Sequence, residues 1–211
     1  MTLQELEQEF SQLGDNYKTK DVDRLNKQLI KRKEDVSFLK DIVLEKQEYH
    51  RTYFQVSIGQ LKSVEEQLTF IEANFKLLQD WWHVDQLTQF LSKKLTFDEA
   101  FSRAQKYVKS DMPYARRWGY VIFLPRLVKE EDGFDKLVSL LQEDEVHHVV
   151  MAEAWLISYM GMFHTERTLK LVESCPLKYN IMGKAIQKIC DSYQVSKEDK
   201  ERFKELRKLY K

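Results

Sequence analysis

The chain has 211 residues, and 43% of them are hydrophobic, enough for a packed core and too many for a disordered segment. Thirty-four Lys and Arg balance thirty-four Asp and Glu, which excludes a polycation of the histone kind. Six glycines and three prolines supply too few turns for an all-β protein. Two cysteines, Cys175 and Cys190, make neither a disulfide framework nor a metal cage. No apolar run approaches the roughly 18 residues of a membrane span. Met1-Thr2-Leu3-Gln4-Glu5 lacks the basic and apolar regions of a signal peptide. The expected protein is reduced, cytoplasmic, away from membranes and mostly helical.

The elements follow one another with little punctuation. Leu3, Leu6, Phe10 and Leu13 recur at helical spacing, and Gly14-Asp15-Asn16 closes that helix. Asp21 is expected to cap the next, with Leu25, Leu29 and Ile30 on its buried face. Glu34-Asp35 opens a third through Phe38, Leu39, Ile42 and Val43, and Tyr53, Phe54, Val56, Ile58 and Leu61 mark a fourth. Ser63 and Glu66 have capping-box spacing, Asp80 caps a helix from Trp81, and Thr96 opens one carrying Phe97, Phe101, Ala104 and Val108. Pro113 suits a first turn ahead of Trp118, Val121, Ile122 and Leu124. Helices over 134–141, 146–160, 165–173, 178–193 and 196–209 complete the chain.

The pattern predicts roughly a dozen helices of about ten to sixteen residues joined by short links. Helices too small to bury their own faces, paired every 30 to 40 residues or so, point to an all-α fold: an α-solenoid of HEAT-like helix pairs forming a right-handed superhelix with a concave groove, one domain over 1–211. A globular helix bundle is the alternative.

Charge is uneven along this neutral chain. Residues 1–15 carry Glu5, Glu7, Glu9 and Asp15 with no Lys or Arg, whereas ten Lys and Arg meet five Asp and Glu after Pro176. One face can therefore collect positive charge. Signatures for dinucleotide, P-loop, serine-hydrolase and zinc-protease chemistry are missing. Glu145-Val146-His147-His148 contains a Glu-x-x-His spacing, but a di-iron site needs a second copy, which the chain lacks. No metal is expected, and His147 and His148 are expected to flank a helix start at the surface.

Three clusters carry chemistry. Trp81 and Asp85 lie four apart, one turn along a single helix face. An exposed indole beside a carboxylate suits a flat organic cation, through cation–π attraction and charge neutralisation; a core tryptophan with a dipole-favouring aspartate is the plain alternative. Arg116-Arg117 opens an apolar helix, poorly placed for its dipole and well placed to grip phosphate, unless both are simply solvated. Trp155 follows Ala152-Glu153-Ala154 in a long helix, where core packing is the plain reading.

Together, in this order, the clusters resemble the HEAT-like-repeat alkylpurine DNA glycosylases, the AlkD-like family of DNA alkylation repair proteins. The tail from Gly183-Lys184-Ala185 through Gln194-Val195-Ser196 is also similar to that family's closing helices. The resemblance spans about residues 21–205. It implies hydrolysis of the N-glycosidic bond of N3- or N7-alkylated purines in duplex DNA, without a Schiff-base lysine or any cofactor. It assigns Asp85 as the catalytic carboxylate, Trp81 and Trp155 as aromatic walls at the lesion, and Arg117 as a phosphate contact. All four are expected on one concave surface of a monomer.

The chain departs from the family in one place. Gly14 to Lys20 runs directly to the next helix, with no room for the helix and turn that reach the minor groove in active members. Binding to duplex DNA is accordingly expected to be weak and largely non-specific, in the range of roughly 10⁻⁴ to 10⁻⁶ M at physiological salt. The alternative function is a non-catalytic helical-repeat protein that binds DNA weakly, or a protein partner, through its concave surface.

Overall fold

The computed structural model describes residues 1–174 and 177–210; Cys175, Pro176 and Lys211 lie outside the described residues. Those described form helices and connecting turns with no strand among them. No helix among them is long and apolar enough to cross a membrane. The chain divides into two compact units, Met1–Leu95 and Thr96–Lys211.

The first unit contains α1 (Leu3–Ser11), α2 (Thr19–Arg32), α3 (Gln47–Gln60), α4 (Val64–Ala73), α5 (Trp81–Asp85) and α6 (Leu87–Phe90). The link after α1 turns at Gly14, whose φ of 84° is cheap only for glycine. α2 packs along α3, burying Val22, Leu25 and Leu29 of α2 with Tyr53, Phe54 and Val56 of α3. The anticipated capping box closes at α4, where Ser63 Oγ accepts from Glu66 N and Glu66 accepts from Ser63 N.

Two expectations in this unit are corrected. Asp21 sits three residues inside α2 and accepts from the backbone N–H of Lys18, the true N-cap. The helix expected over 34–43 is a 3₁₀ turn, Ser37–Asp41. Asp35 accepts from both the N–H and the hydroxyl of Ser37, an alternative to helical pairing for the preceding backbone.

The second unit contains α7 (Phe97–Tyr107), α8 (Pro113–Val121), α9 (Phe134–Val138), α10 (His147–Phe163), α11 (Thr165–Ser174), α12 (Tyr179–Asp191) and α13 (Lys197–Leu206), closed by a 3₁₀ turn, Arg207–Tyr210. Thr96 and Glu99 form the expected capping box of α7, and Pro113 occupies the first turn of α8. The helix expected over 134–141 stops at Val138. His147 opens α10 at the surface, as expected.

Packing runs from each helix to its neighbours in the chain. α7 meets α8, α8 meets α10, α10 meets α11 and α12, and α13 meets α11 and α12. This stacking of short helix pairs is an α-solenoid. α10 is apolar on nearly every side and therefore central; Val150, Ala154 and Ile157 face Ile181, Ala185 and Ile189 of α12. Gly119 allows α8 to close on the end of α7, since a Cβ there would lie 2.7 Å from Val108 Cγ1 and 3.1 Å from its backbone nitrogen.

Candidate functional site

A cleft of about 670 Å³ lies within the first unit, lined among others by Tyr17, Lys18, Arg51, Trp81, Asp85 and Gln86. Trp81 and Asp85 occupy the two ends of α5, about 6 Å apart along the axis. Trp81 is 49% exposed, so it is not a core tryptophan; Trp118, at 0%, fills that role. Asp80 Oδ1 accepts from Trp81 N and starts the helix where the sequence predicted. Thr88 Oγ1 donates to the carbonyl of Asp85, at the junction of α5 and α6.

A helix of five residues does not hold itself in place. Val84 and Leu87 anchor it on the apolar side with no exposure. On the polar side a chain of hydrogen bonds ties it to α2 and α3. Arg51 of α3 donates to both carboxylate oxygens of Asp23, at 2.6 and 3.0 Å. Its Nη1 also donates to Gln86 Oε1 at 3.0 Å. Gln86 Nε2 then donates to His50 Nδ1 at 2.8 Å, which leaves His50 Nε2–H to donate to the carbonyl of Leu77 at 3.2 Å.

His50 also stacks on His83 of α5, with ring centroids 3.6 Å apart and planes 13° from parallel. Burial, and then the neighbouring His83, lowers the pKa of His50 to about 3; burial lowers that of His83 to about 4. Both rings are therefore neutral at pH 7, which allows close stacking without repulsion. His83 Nδ1 accepts from the backbone of Gln79, so both imidazoles have a defined tautomer.

Tyr17 contributes to the cleft from the segment ahead of α2. It stacks on Phe10, and its hydroxyl donates to Glu48 Oε1 at 2.7 Å. Burial and this carboxylate raise its pKa to about 12, so it serves as a neutral aromatic donor. The residues around Trp81 thus combine an accessible π-face, a carboxylate one turn away, and Lys18 in the same lining. That combination suits a flat cationic group attached to an anionic backbone.

The remaining predicted residues belong to the second unit. Arg117 is 5% exposed, and its Nη1 donates to the carbonyl of His148 at the start of α10. Its neighbour Arg116 is committed elsewhere, to Asp144 at 2.7 Å and to the carbonyl of Ser110. The two arginines are therefore held by different partners rather than left as a solvated pair. Trp155 is partly buried on α10 and meets Tyr159 edge-on, with centroids 6.1 Å apart. Two residues before it, Glu153 is fully buried; one oxygen accepts from Gln142 N at 2.8 Å, and the other has no hydrogen-bond partner among the described residues. Burial raises its pKa to about 8.

No group of three or more His, Cys, Asp and Glu among the described residues could hold a metal ion. Sequence reasoning missed Tyr17, His50, Arg51 and Gln86. His50 had one local signal, its four-residue spacing from Phe54 on an otherwise apolar face. Gln86 lies 36 residues from its histidine partner and had none.

The family model described as "DNA alkylation repair enzyme" matches residues 16–189, well over half of the chain. No curated protein and no solved structure matches it.

Proposed function

Since the chain belongs to the family of DNA alkylation repair enzymes, we propose that it is a monofunctional DNA glycosylase that removes N3- or N7-alkylated purines from duplex DNA. The observation that carries this reading is the exposed Trp81 beside Asp85, on a short helix fixed by the Asp23–Arg51–Gln86–His50 chain. The half-exposed indole leaves a π-face open to a cationic group in the cleft that Asp85 also lines.

Alkylation makes the purine a cation, so the base departs as a neutral molecule without a general acid. The C1′–N bond breaks with its electron pair leaving on the base, and positive charge develops on the sugar. The carboxylate of Asp85 stabilises that charge and orients a water molecule. The water oxygen bonds to C1′, and its released proton passes to solvent through Asp85. Trp81 lies against the deoxyribose and base. Phosphate contacts supply affinity with little lesion discrimination, so binding by the monomer is weak and mostly non-specific.

The test is release of free base from a duplex containing 7-methylguanine. Asp85→Asn should lower release by a factor of about 10² to 10³ or more while leaving DNA affinity nearly unchanged, because its charge acts in the transition state. Equal release by both proteins would sink the assignment of Asp85. A second reading, DNA binding without catalysis, is favoured by the link between α1 and α2, which carries no helix over 12–18. Absent release together with salt-sensitive DNA binding would select it.

A further inference from the structure

The lining of the cleft includes a second carboxylate, Glu48, which the reaction proposed above does not use. It stands at the second position of α3, three residues before Arg51, so the two share a face of that helix. Arg51 reaches Gln86, the residue after Asp85, and that face of α3 is therefore turned toward α5. Glu48 is partly buried. No Lys or Arg among the described residues forms an ion pair with it, since Arg51 is taken by Asp23 and Lys46 by Glu7.

Tyr17 sets the direction of this carboxylate. Its ring stacks on Phe10, with centroids 6.4 Å apart and planes 14° from parallel, and its hydroxyl donates to Glu48 Oε1 at 2.7 Å. Among the described residues Oε1 alone is engaged, which leaves Oε2 for a ligand. A carboxylate aimed by a neutral donor and unmatched by a protein cation suits a ligand that brings both positive charge and N–H groups.

The two kinds of alkylated purine differ in what they offer such a group. A guanine alkylated at N7 is a cation with two adjacent donors, N1–H and the 2-amino group, which match the two oxygens of one carboxylate. An adenine alkylated at N3 presents its 6-amino group beside the lone pair of N1, which a carboxylate repels. We propose that Glu48, oriented by Tyr17, is a specificity-determining residue that accepts from the N1–H and 2-amino group of an N7-alkylated guanine. The cleft then takes alkylguanine in preference to alkyladenine wherever that edge is unpaired. Trp81 and Asp85 act on any cationic purine, and Glu48 adds the choice among them. This inference rests on the reading of the cleft as a site for a cationic base; it does not require that the glycosidic bond be cleaved there.

The experiment is titration calorimetry in mildly acidic buffer, which keeps the N1 proton on the ring. It compares 7-methylguanosine with 7-methylinosine, a cation of the same ring system that lacks only the 2-amino group. The unaltered chain should bind 7-methylguanosine more tightly by a factor of about 10 to 100, the worth of one hydrogen bond to a charged group. Glu48→Ala should remove that preference and leave 7-methylinosine the better tolerated of the two losses. Tyr17→Phe keeps the ring on Phe10 but frees the carboxylate, so the preference should shrink there as well, an effect on the ratio that loss of packing would not produce. Trp81→Ala should weaken both nucleosides alike. Equal affinities in the unaltered chain, a preference that survives Glu48→Ala, or no binding of either nucleoside would each overturn the proposal. Failure of the glycosylase reading is separate: it shows as absent base release from a duplex containing 7-methylguanine, with the preference between nucleosides intact.

Discussion

Each compact unit buries ionisable groups, and burial acts with opposite pH consequences on two bases of the first and on one acid of the second, where Arg117 and His164 are buried as well. The first encloses two bases, His50 and His83, stacked and linked through Gln86 to Arg51 and Asp23. The second encloses an acid, Glu153, in a mostly apolar helix with one oxygen unpaired. Burial drives all three toward their neutral forms, yet the consequences for pH run in opposite directions. An unfolded histidine takes up a proton near pH 6.5, whereas the folded ones wait until about 4 and about 3. Their contribution to stability is therefore complete above 6.5 and is lost as the pH falls through those values. Glu153 ionises near 4.5 when unfolded and near 8 when folded, so its contribution is complete below 4.5 and is lost as the pH rises through 8.

The sharpest contrast comes from the tryptophans. Trp118→Ala empties a fully buried site in the second unit and should cost about 3–5 kcal/mol in urea unfolding followed by circular dichroism. In the first unit, Gln86→Leu strands both His50 Nδ1 and an Arg51 N–H. A loss of about 1–3 kcal/mol is expected in the same measurement, and base release should fall with it as α5 loosens. A neutral result there would mean that the apolar anchors Val84 and Leu87 suffice.

The opposed titrations provide a finer test. Glu153→Gln should flatten the loss of stability between pH 5 and 8 and leave the acid side untouched, with melting temperature against pH as the readout. Of the five histidines, His50 and His83 should keep the ring-proton chemical shifts of neutral imidazole at pH 5. Ordinary titration near 6.5 for every histidine would erase the distinction between the units. The smallest effect belongs to Trp81→Ala, within about 0.5 kcal/mol of the unaltered protein, since the indole is half in solvent. A cost like that of Trp118→Ala would return Trp81 to the core.

Much of this architecture could be read in advance because its causes are local. Ser63 with Glu66, Thr96 with Glu99, Asp80 and Pro113 each act within a turn of their own positions, and the starts of four helices follow from them. The four-residue interval between Trp81 and Asp85 is legible for the same reason. Segment 34–43 misled because the apolar spacing of Phe38, Leu39, Ile42 and Val43 fits a helix, whereas Asp35 and Ser37 bond to each other just before it. What could not be read is what holds α5. Asp23 comes from α2, His50 and Arg51 from α3 and Gln86 from the end of α5, and no periodicity links an arginine to a glutamine 35 residues away. The fate of Arg116 and Arg117 was hidden likewise, because Asp144 and the carbonyl of His148 arrive from beyond the next helix.

The uneven exposure of the four tryptophans gives this chain a built-in optical reporter. Trp118 sits in a dry interior and should emit at short wavelength, Trp82 and Trp155 are partly covered, and Trp81 alone stands half in water. Iodide should therefore quench a red-edge fraction of the emission that disappears with the indole at position 81. A planar group stacked on that ring would shield it from iodide, and so occupancy of the cleft could be followed with unlabelled protein and unlabelled ligand.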